Sequence, residues 1–201
     1  MVLTTSYLPP IWYFEKIITQ QSLTLEKEEH FVKQTIRNRC HILSPNGIQT
    51  LIIPVVHNNR TNTALKDIQI ANDHDWQRQH WRSINAAYRR SAFFEFYMDD
   101  FAPFYYQRFN YLLDFNNSLL QIILDSLKLK IQLSYTDKYQ AIVSSVDLRY
   151  LCNTGQPATS QKINNYPQVF GYKNGFVRGL SMIDLLFNMG PVSVDYLEYN
   201  I

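Results

Sequence analysis

The stretch from residue 28 to residue 56 constrains the fold most, because it reads as two β-strands joined by a tight turn. The turn has the sequence Ser-Pro-Asn-Gly at positions 44–47. Proline is favoured at the first central position of a turn, and asparagine and glycine tolerate the positive φ that reverses the chain. Because runs rich in β-branched residues flank this turn, the sequence predicts antiparallel pairing between about residues 36–43 and 48–56.

A strand through this stretch would place its basic side chains on one face, because successive side chains of a strand alternate between faces. Neighbouring cations repel each other, which is easiest to understand if an anionic group binds there. The alternative is a solvated outer face, on which the arginine stems cover apolar neighbours. The predicted basic face holds Lys33, Thr35, Arg37, Arg39 and His41, and the opposite face holds Ile36, Asn38, Cys40 and Ile42.

The composition is that of a globular chain rich in aromatic residues. The chain has 201 residues, of which 46% are hydrophobic, and its net charge is +2. This length can bury a proper core, so we expect one domain over 1–201, with a mobile loop at 153–165 where apolar residues are scarce. The balanced charge gives no bulk electrostatic reason to expect nucleic acid as a partner.

Two lone cysteines and the absence of known motifs exclude several classes of protein. Cys40 and Cys152 lack metal-ligand spacing, so neither a disulfide framework nor a metal site is expected, and no cofactor is predicted. The sequence contains no GxGxxG, Walker A, HExxH or GxSxG motif. It also has no apolar run that could span a bilayer and no signal-peptide pattern at its start, so a cytoplasmic location is expected.

The remaining pattern predicts an α+β fold, with a central mixed sheet that includes the long hairpin and is packed by about four to five helices. Two further strands are expected, and each helix is expected to bury one apolar stripe. The strands are predicted at 2–6 and 131–135, and the helices at 11–20, about 73–90, 93–107, 111–128 and 181–190.

His80 lies in the middle of the apolar stripe of the second predicted helix. Buried among aromatic rings, an imidazole can be held neutral and used as a general base. The alternative is a core histidine that is hydrogen-bonded to a backbone carbonyl. The stripe consists of Trp76, His80, Ile84, Ala87 and Tyr88, with Trp81 at its margin and Asn72 or Asp73 as the expected helix cap.

Two carboxylates are further candidates for chemistry. If residues 28–43 form a strand, Glu29 shares the basic face and could act as an acid, a base or an orienter for an arginine. If the segment is partly helical, Glu29 and Lys33 could instead pair on the surface. Asp184 follows Ser181 by three residues, which is the spacing of a capping box at a helix start. Capping is therefore the expected role of Asp184, with catalysis as the alternative.

The chain resembles the WbqC-like proteins, in the variety common in Bacteroidetes-type genomes. The matching blocks follow the expected order along nearly the whole chain. They comprise Tyr7-Leu8-Pro9-Pro10, Lys33-Gln34-Thr35, Arg37-Asn38-Arg39, Asn46-Gly47, Pro54-Val55, Trp76 with His80-Trp81-Arg82-Ser83, Tyr88, Phe93-Phe94-Glu95, Gly175-Phe176, Leu180-Ser181, Asp184-Leu185-Leu186-Phe187-Asn188 and Gly190-Pro191.

The resemblance implies a bacterial protein of surface-polysaccharide biosynthesis, of the O-antigen type. It implies transfer of an amino acid or acyl group to a sugar from an activated donor, and it carries no mechanism residue by residue. The wider family often has Gln-Pro or His-Pro before the tyrosine that corresponds to Tyr7, whereas this chain has Thr5-Ser6. If that pair takes part in catalysis elsewhere, this chain uses another group or has lost the activity.

Two hypotheses from different classes follow. The first is a transferase that holds the diphosphate of a nucleotide-sugar, or an acyl donor, against its arginines, with His80 or Glu29 as the base. Trp81, Trp12 and the tyrosines would supply the stacking surface for a sugar or base. The second is a non-catalytic protein that binds an anionic partner on the same surface. A pocket shared by the arginines and His80 favours the enzyme, and a buried His80 behind the arginines favours the binder. The expected substrate-binding residues are Lys33, Arg37, Asn38, Arg39, Tyr7, Trp81 and Tyr88; the oligomeric state is left open.

Overall fold

A computed structural model describes residues 1–56, 62–141, 145–153 and 164–199. It confirms the α+β class, with parallel and antiparallel strands together with helices. The predicted loop at 153–165 lies almost entirely outside the described residues. In chain order the strands are β1 (Val2–Thr4), β2 (Ser22–Glu26), β3 (Arg39–Ser44), β4 (Gly47–Ile52) and β5 (Gln132–Tyr135).

The helices surround these strands and are mostly short. Single 3-10 turns join several of them, at Leu65–Asp67, Ala102–Tyr105, Arg149–Asn153 and Gly190–Val192. The α-helices are α1 (Ile11–Ile17), α2 (Trp76–Tyr88), α3 (Phe94–Phe101), α4 (Leu112–Ser126), α5 (Gly171–Asn174), α6 (Met182–Met189) and α7 (Ser193–Tyr199).

The strands form two sheets rather than one. β1, β2 and β5 make a parallel sheet in the order β1-β2-β5, while β3 and β4 pair only with each other. In the middle strand, Leu23 and Leu25 are completely buried, as expected where helices cover a parallel sheet. The carboxyl ends of all three parallel strands therefore lie along one edge, which is where open α/β sheets usually bind ligands.

The predicted hairpin and its turn are confirmed. Arg39 pairs with Ile52 at one end and Ser44 with Gly47 at the other, and Gly47 has φ +99°. Cys40 is buried on the inner face, as alternation predicts. The strand begins at Arg39, however, so the prediction that residues 36–38 belong to it is wrong.

Turns occupy residues 33–38, so the predicted continuous basic face is also wrong. Strand alternation relates only Arg39 and His41, which lie in β3. Lys33, Thr35 and Arg37 lie in the turns before it, so alternation does not place them on the same face. Arg37 is fully buried, whereas Lys33 is exposed. The physical reason is an ion pair that draws Arg37 inward, as described below.

The predicted apolar stripe of α2 is confirmed. The five stripe residues and Trp81 are buried, while Arg78, Arg82 and Arg89 are exposed. The stripe packs against β3 and contributes to a single large core that joins both sheets. The cap prediction is wrong, because Asp75 occupies the cap position and the Asn72 amide donates to the Phe109 carbonyl instead.

Ser181 caps α6 as predicted, since its hydroxyl accepts a hydrogen bond from the backbone N–H of Ile183. The same hydroxyl donates to the Leu8 carbonyl at 2.8 Å, so this cap also ties α6 to the segment before α1. α6 is not the last helix, because α7 follows it after one 3-10 turn. Within the described part of the chain, no helix has the length and apolarity needed to cross a membrane.

Candidate ligand-binding site

A small cavity lies between the segment that opens α1, the turns before β3 and the outer side of the hairpin. Its volume is about 240 Å³, somewhat below the roughly 300–1,000 Å³ of typical ligand pockets. It is therefore sized for a small molecule or for one end of a larger one. Its described walls are Pro10, Trp12, Gln34, Thr35, Ile36, Arg39, His41, Thr50, Leu151 and Gly179.

Arg39 is the cation of this cavity. Its Nε is buried and has no hydrogen-bond partner among the described residues. Native proteins pair nearly all such buried donors, with protein groups or with ordered water. Arg39 therefore lines the cavity and carries a buried N–H that can take a further hydrogen-bond acceptor.

His41 is the titratable neighbour of Arg39. Its Nδ1 lies 3.0 Å from the Thr50 hydroxyl, directly across the hairpin. Burial lowers the pKa of His41 below its ordinary value of 6.5, and the positive charge of Arg39 lowers it further. His41 is therefore neutral at physiological pH and adds no permanent charge to the cavity.

The backbone around the cavity contains two unusual conformations. Gln34, on the cavity wall, has φ +64°, and Leu8 has φ +40°. Non-glycine residues with positive φ are uncommon and occur often at functional sites. Leu8 is held by the Ser181 hydroxyl, and the Ser181 N–H donates to the His41 carbonyl at 2.8 Å. The segment before α1 is thereby connected through α6 to the cavity wall in β3.

Arg37 forms a buried ion pair with Glu29 and is not among the described walls of the cavity. Its Nε and Nη2 donate to Glu29 Oε1 at 2.9 and 2.7 Å. The third donor, Nη1, reaches Thr35 Oγ1 at 3.1 Å and Asn153 Oδ1 at 2.8 Å. Glu29 also accepts a hydrogen bond from the Thr4 hydroxyl at the end of β1. Burial without this pairing would leave a costly isolated charge.

A second buried ion pair lies at the same sheet edge. Arg149 donates to Glu26, at the end of β2, at 3.0 Å and to Asp147 at 2.6 Å.

The Thr5 hydroxyl donates to Asn117 at 2.8 Å, and the Ser6 hydroxyl donates to the Ile36 carbonyl at 3.2 Å. Thr5 and Ser6 therefore serve as local hydrogen-bond donors.

His80 is buried in an aromatic cluster and is 6% exposed. Its Nδ1 lies 2.9 Å from the Tyr7 hydroxyl, which lies 3.2 Å from the Tyr105 hydroxyl. Burial lowers the pKa of His80 to about 4, against the opposing effect of a hydrogen bond with the Ile52 backbone. A neutral imidazole has one donor and one acceptor nitrogen, which matches the Tyr7 hydroxyl and the Ile52 backbone as the two partners of His80.

The described walls of the cavity include Arg39 but neither His80 nor Arg37. The sequence predicts that the three line one cavity, and in this cavity the structure does not bring them together. Their individual roles, with that of Glu29, stay predictions.

The other predicted site residues have varied surroundings. Asn38 donates to the Ile53 carbonyl at 3.0 Å and Trp81 stacks on Tyr105, with ring centroids 5.3 Å apart. Tyr88 is buried beside Asp184. Burial raises the pKa of Tyr88, and the negative charge of Asp184 raises it further. Lys33 is exposed on the turn at residues 33–38.

Asp184 does not have the predicted capping role. The Ser181 N–H that a capping box would satisfy already donates to His41, and Asp184 is 1% exposed. Its Oδ2 accepts hydrogen bonds from the Tyr166 hydroxyl at 2.5 Å and the Gln168 amide at 3.1 Å. Burial raises the pKa of Asp184 to about 6, although these donors oppose the shift.

Sequence reasoning overlooked most of the cavity wall. Gln34 and Thr35 stand in a stretch whose β-like pattern hides the turns, and the positive φ of Gln34 has no signature in its residue type. Trp12 is the exception, because it follows Pro10 by two residues in the first turn of α1 and is named above as a stacking surface.

Comparisons with known proteins extend over almost the whole chain. The model of the WbqC-like protein family matches residues 5–154. The chain is 25% identical over 229 aligned residues to "Uncharacterized protein Rv1507c" of Mycobacterium tuberculosis (strain ATCC 25618 / H37Rv), with 98% of this chain and 96% of that protein covered. No solved structure matches the chain significantly. Of the described cavity walls, Gly179 alone lies outside the range matched by the family.

Replacing Asp184 by asparagine should stabilise the protein at neutral and alkaline pH. The folded pKa of about 6 lies above the ordinary 3.8, so folding is favoured by the protonated carboxyl. The free energy of unfolding of the natural protein should therefore fall as the pH rises from 3.8 to about 6. Asp184→Asn removes the buried charge, which should add on the order of 3 kcal/mol at pH 8 and little near pH 4.

Chemical denaturation at several pH values measures this difference. Asp114→Asn is the matched control, because Asp114 is exposed on α4, and it should change stability by less than about 0.5 kcal/mol. A loss of stability for Asp184→Asn at pH 8 would show that the carboxylate is needed in its charged form.

Proposed function

The chain belongs to the WbqC-like protein family, and from that premise we propose that it binds a small molecule through one carboxylate in the Arg39 cavity. The observation that carries this proposal is the buried Arg39 Nε without a partner among the described residues. A guanidinium presents a planar pair of donors that matches a carboxylate in a bidentate arrangement.

The charges around the cavity favour a ligand with a single negative charge. Arg39 is the one permanent cation among its described walls. Arg37 is two residues away, but three of its nitrogens are engaged by Glu29, Thr35 and Asn153. A diphosphate needs several cationic donors to replace its water, whereas one carboxylate is matched by one guanidinium.

The remaining walls favour a ligand with an apolar body and a few polar groups. Trp12, Ile36 and Leu151 provide the apolar surface. Thr50 brings a hydroxyl group that can either donate or accept a hydrogen bond, whereas the Thr35 hydroxyl already donates to the Val32 carbonyl and accepts from Arg37. An acylated amino acid or a short hydroxy acid combines these features, and both are sized for a cavity of about 240 Å³.

Arg39→Lys should weaken carboxylate binding by about tenfold or more, because lysine keeps the charge but loses the two-pronged donor. Binding is measured by isothermal titration calorimetry with N-acetylglycine and 3-hydroxybutyrate, and with inorganic pyrophosphate for comparison. The natural protein should bind at least one of the two carboxylates more tightly than pyrophosphate.

Arg82→Lys is the matched control, since Arg82 is exposed on α2 and lies outside the cavity. It should leave the dissociation constant unchanged. Tighter binding of pyrophosphate, or equal carboxylate binding by Arg39→Lys and the natural protein, would contradict the proposal.

Group transfer in surface-polysaccharide biosynthesis is the second candidate function, and the position of His41 favours it. A neutral imidazole on a cavity wall can accept the proton of an attacking amine or hydroxyl. In the tautomer that donates from Nδ1 to Thr50, the lone pair of Nε2 serves as that base. The attacking atom would bond to the donor's acyl carbon as the thioester bond of the donor breaks.

His41→Gln should keep ligand binding and lose turnover if this second function holds. The protein is incubated with acetyl-CoA and a UDP-linked amino sugar, and the free thiol of coenzyme A is measured. His30→Gln is the control, because His30 lies outside the cavity. Absence of thiol release by the natural protein above the uncatalysed rate would count against transfer between these substrates.

A further inference from the structure

We infer that Arg37 is a positioning residue, whose buried ion pair with Glu29 holds the turns at residues 33–38 in the shape that forms one wall of the cavity. The inference rests on the proposed function only for its consequence in ligand binding. Arg37 has no exposed surface, so its charge acts on the protein itself.

The guanidinium of Arg37 links two parts of the cavity wall. Through Nη1 it donates to the Thr35 hydroxyl and to the Asn153 side chain, at 3.1 and 2.8 Å. Thr35 lines the cavity directly. Asn153 ends the 3-10 turn that carries Leu151, which is another wall residue. One side chain therefore sets the separation of two segments that are far apart in sequence.

The turns at 33–38 need such a support, because they have no sheet or helix ladder. The Tyr7 N–H donates to the Ile36 carbonyl at 2.9 Å, and the Asn116 amide donates to the Arg37 carbonyl at 2.7 Å. These bonds fix the backbone at the end of the segment. The Thr35 hydroxyl and Gln34 lie earlier in the segment. There the Thr35 hydroxyl donates to the Val32 carbonyl at 2.9 Å and accepts from Arg37 Nη1, which connects it to the ion pair.

Stability alone does not explain a buried ion pair. Replacing such a pair by apolar residues of similar volume is often neutral or stabilising, whereas removing one partner is strongly destabilising. The double replacement Glu29→Leu with Arg37→Met can therefore separate the two roles. It keeps an apolar filling at the ion-pair site and removes the hydrogen bonds from the Arg37 side chain to Thr35 and Asn153.

Hydrogen exchange tests the inference without any ligand. In the double variant, amides of the 33–38 segment should exchange about tenfold faster or more than in the natural protein, after correction for intrinsic rates. Amides of β3 should keep their protection and thereby serve as the internal control. Unchanged exchange at 33–38 in a folded double variant would overturn the positioning role.

Thr35→Val is the second variant, because it removes the hydroxyl that Arg37 contacts and leaves the ion pair in place. It should also accelerate exchange at 33–38, whereas Thr35→Ser, which keeps the hydroxyl, should behave like the natural protein. Thr35→Val also breaks the hydrogen bond from the Thr35 hydroxyl to the Val32 carbonyl. If the double variant fails to fold, Arg37→Lys therefore decides the question, because it keeps that bond and the charge opposite Glu29 but loses the donors to Thr35 and Asn153. It should accelerate exchange at 33–38, and unchanged exchange would overturn the positioning role. Equal exchange in Thr35→Val and Thr35→Ser would contradict the inference.

Binding of N-acetylglycine separates the inference from the proposed function. If both hold, Thr35→Val should weaken binding by about tenfold while Thr35→Ser keeps it. Faster exchange at 33–38 together with no dependence of binding on Arg39 would refute the proposed function and leave the positioning role intact. Binding that depends on Arg39, with unchanged exchange, would refute the positioning role alone.

Discussion

The buried ion pair between Glu29 and Arg37 is the interaction on which the arrangement of this chain depends. Glu29 follows β2 and accepts from Thr4 at the end of β1, while Arg37 reaches Thr35 and Asn153. Four separate segments therefore meet at one buried group of charges along the carboxyl edge of the parallel sheet. Electrostatic interactions are strong in such a dry environment, and an unpaired member would be costly.

This interaction gives two nearby arginines different tasks. Arg37 is directed inward and its donors are satisfied by protein, whereas Arg39 begins β3 and has a buried N–H without a partner among the described residues. The chain forms turns between Lys33 and Arg39 instead of a regular strand. The turns that bury Arg37 also form part of the wall of the cavity beside Arg39. Arg39 is therefore the one permanent cation among the described walls of that cavity.

Patterns among residues that are close in sequence predicted much of the fold. The hairpin follows from Pro45 and Gly47 between β-branched runs, and the stripe of α2 follows from the 3.6-residue period, because both depend on neighbours in sequence. The order of the parallel sheet and the ion pair between Glu29 and Arg37 depend on contacts across the fold. Residue type gives no register for such contacts, and alternation therefore placed Arg37 on the wrong surface.

Asp184 shows the same limit at a helix end. Its spacing from Ser181 fits a capping box, but the N–H that this carboxylate would accept from is bonded to His41 in another element. Tyr166 and Gln168 bring donors to Asp184 from a segment that local rules cannot place. The candidate site was thus predictable in its basic residues and not in its geometry.

Nuclear magnetic resonance of the arginine Nε–H groups tests the central claim most directly, since the claim is that Arg39 alone meets the ligand while Arg37 belongs to the protein. The Arg39 signal is assigned with the Arg39→Lys variant, and N-acetylglycine is then titrated. The account predicts that the Arg39 Nε–H resonance shifts as the ligand saturates and that the Arg37 resonance, held by Glu29, stays in place. A shift of the Arg37 resonance with an unchanged Arg39 resonance would contradict it.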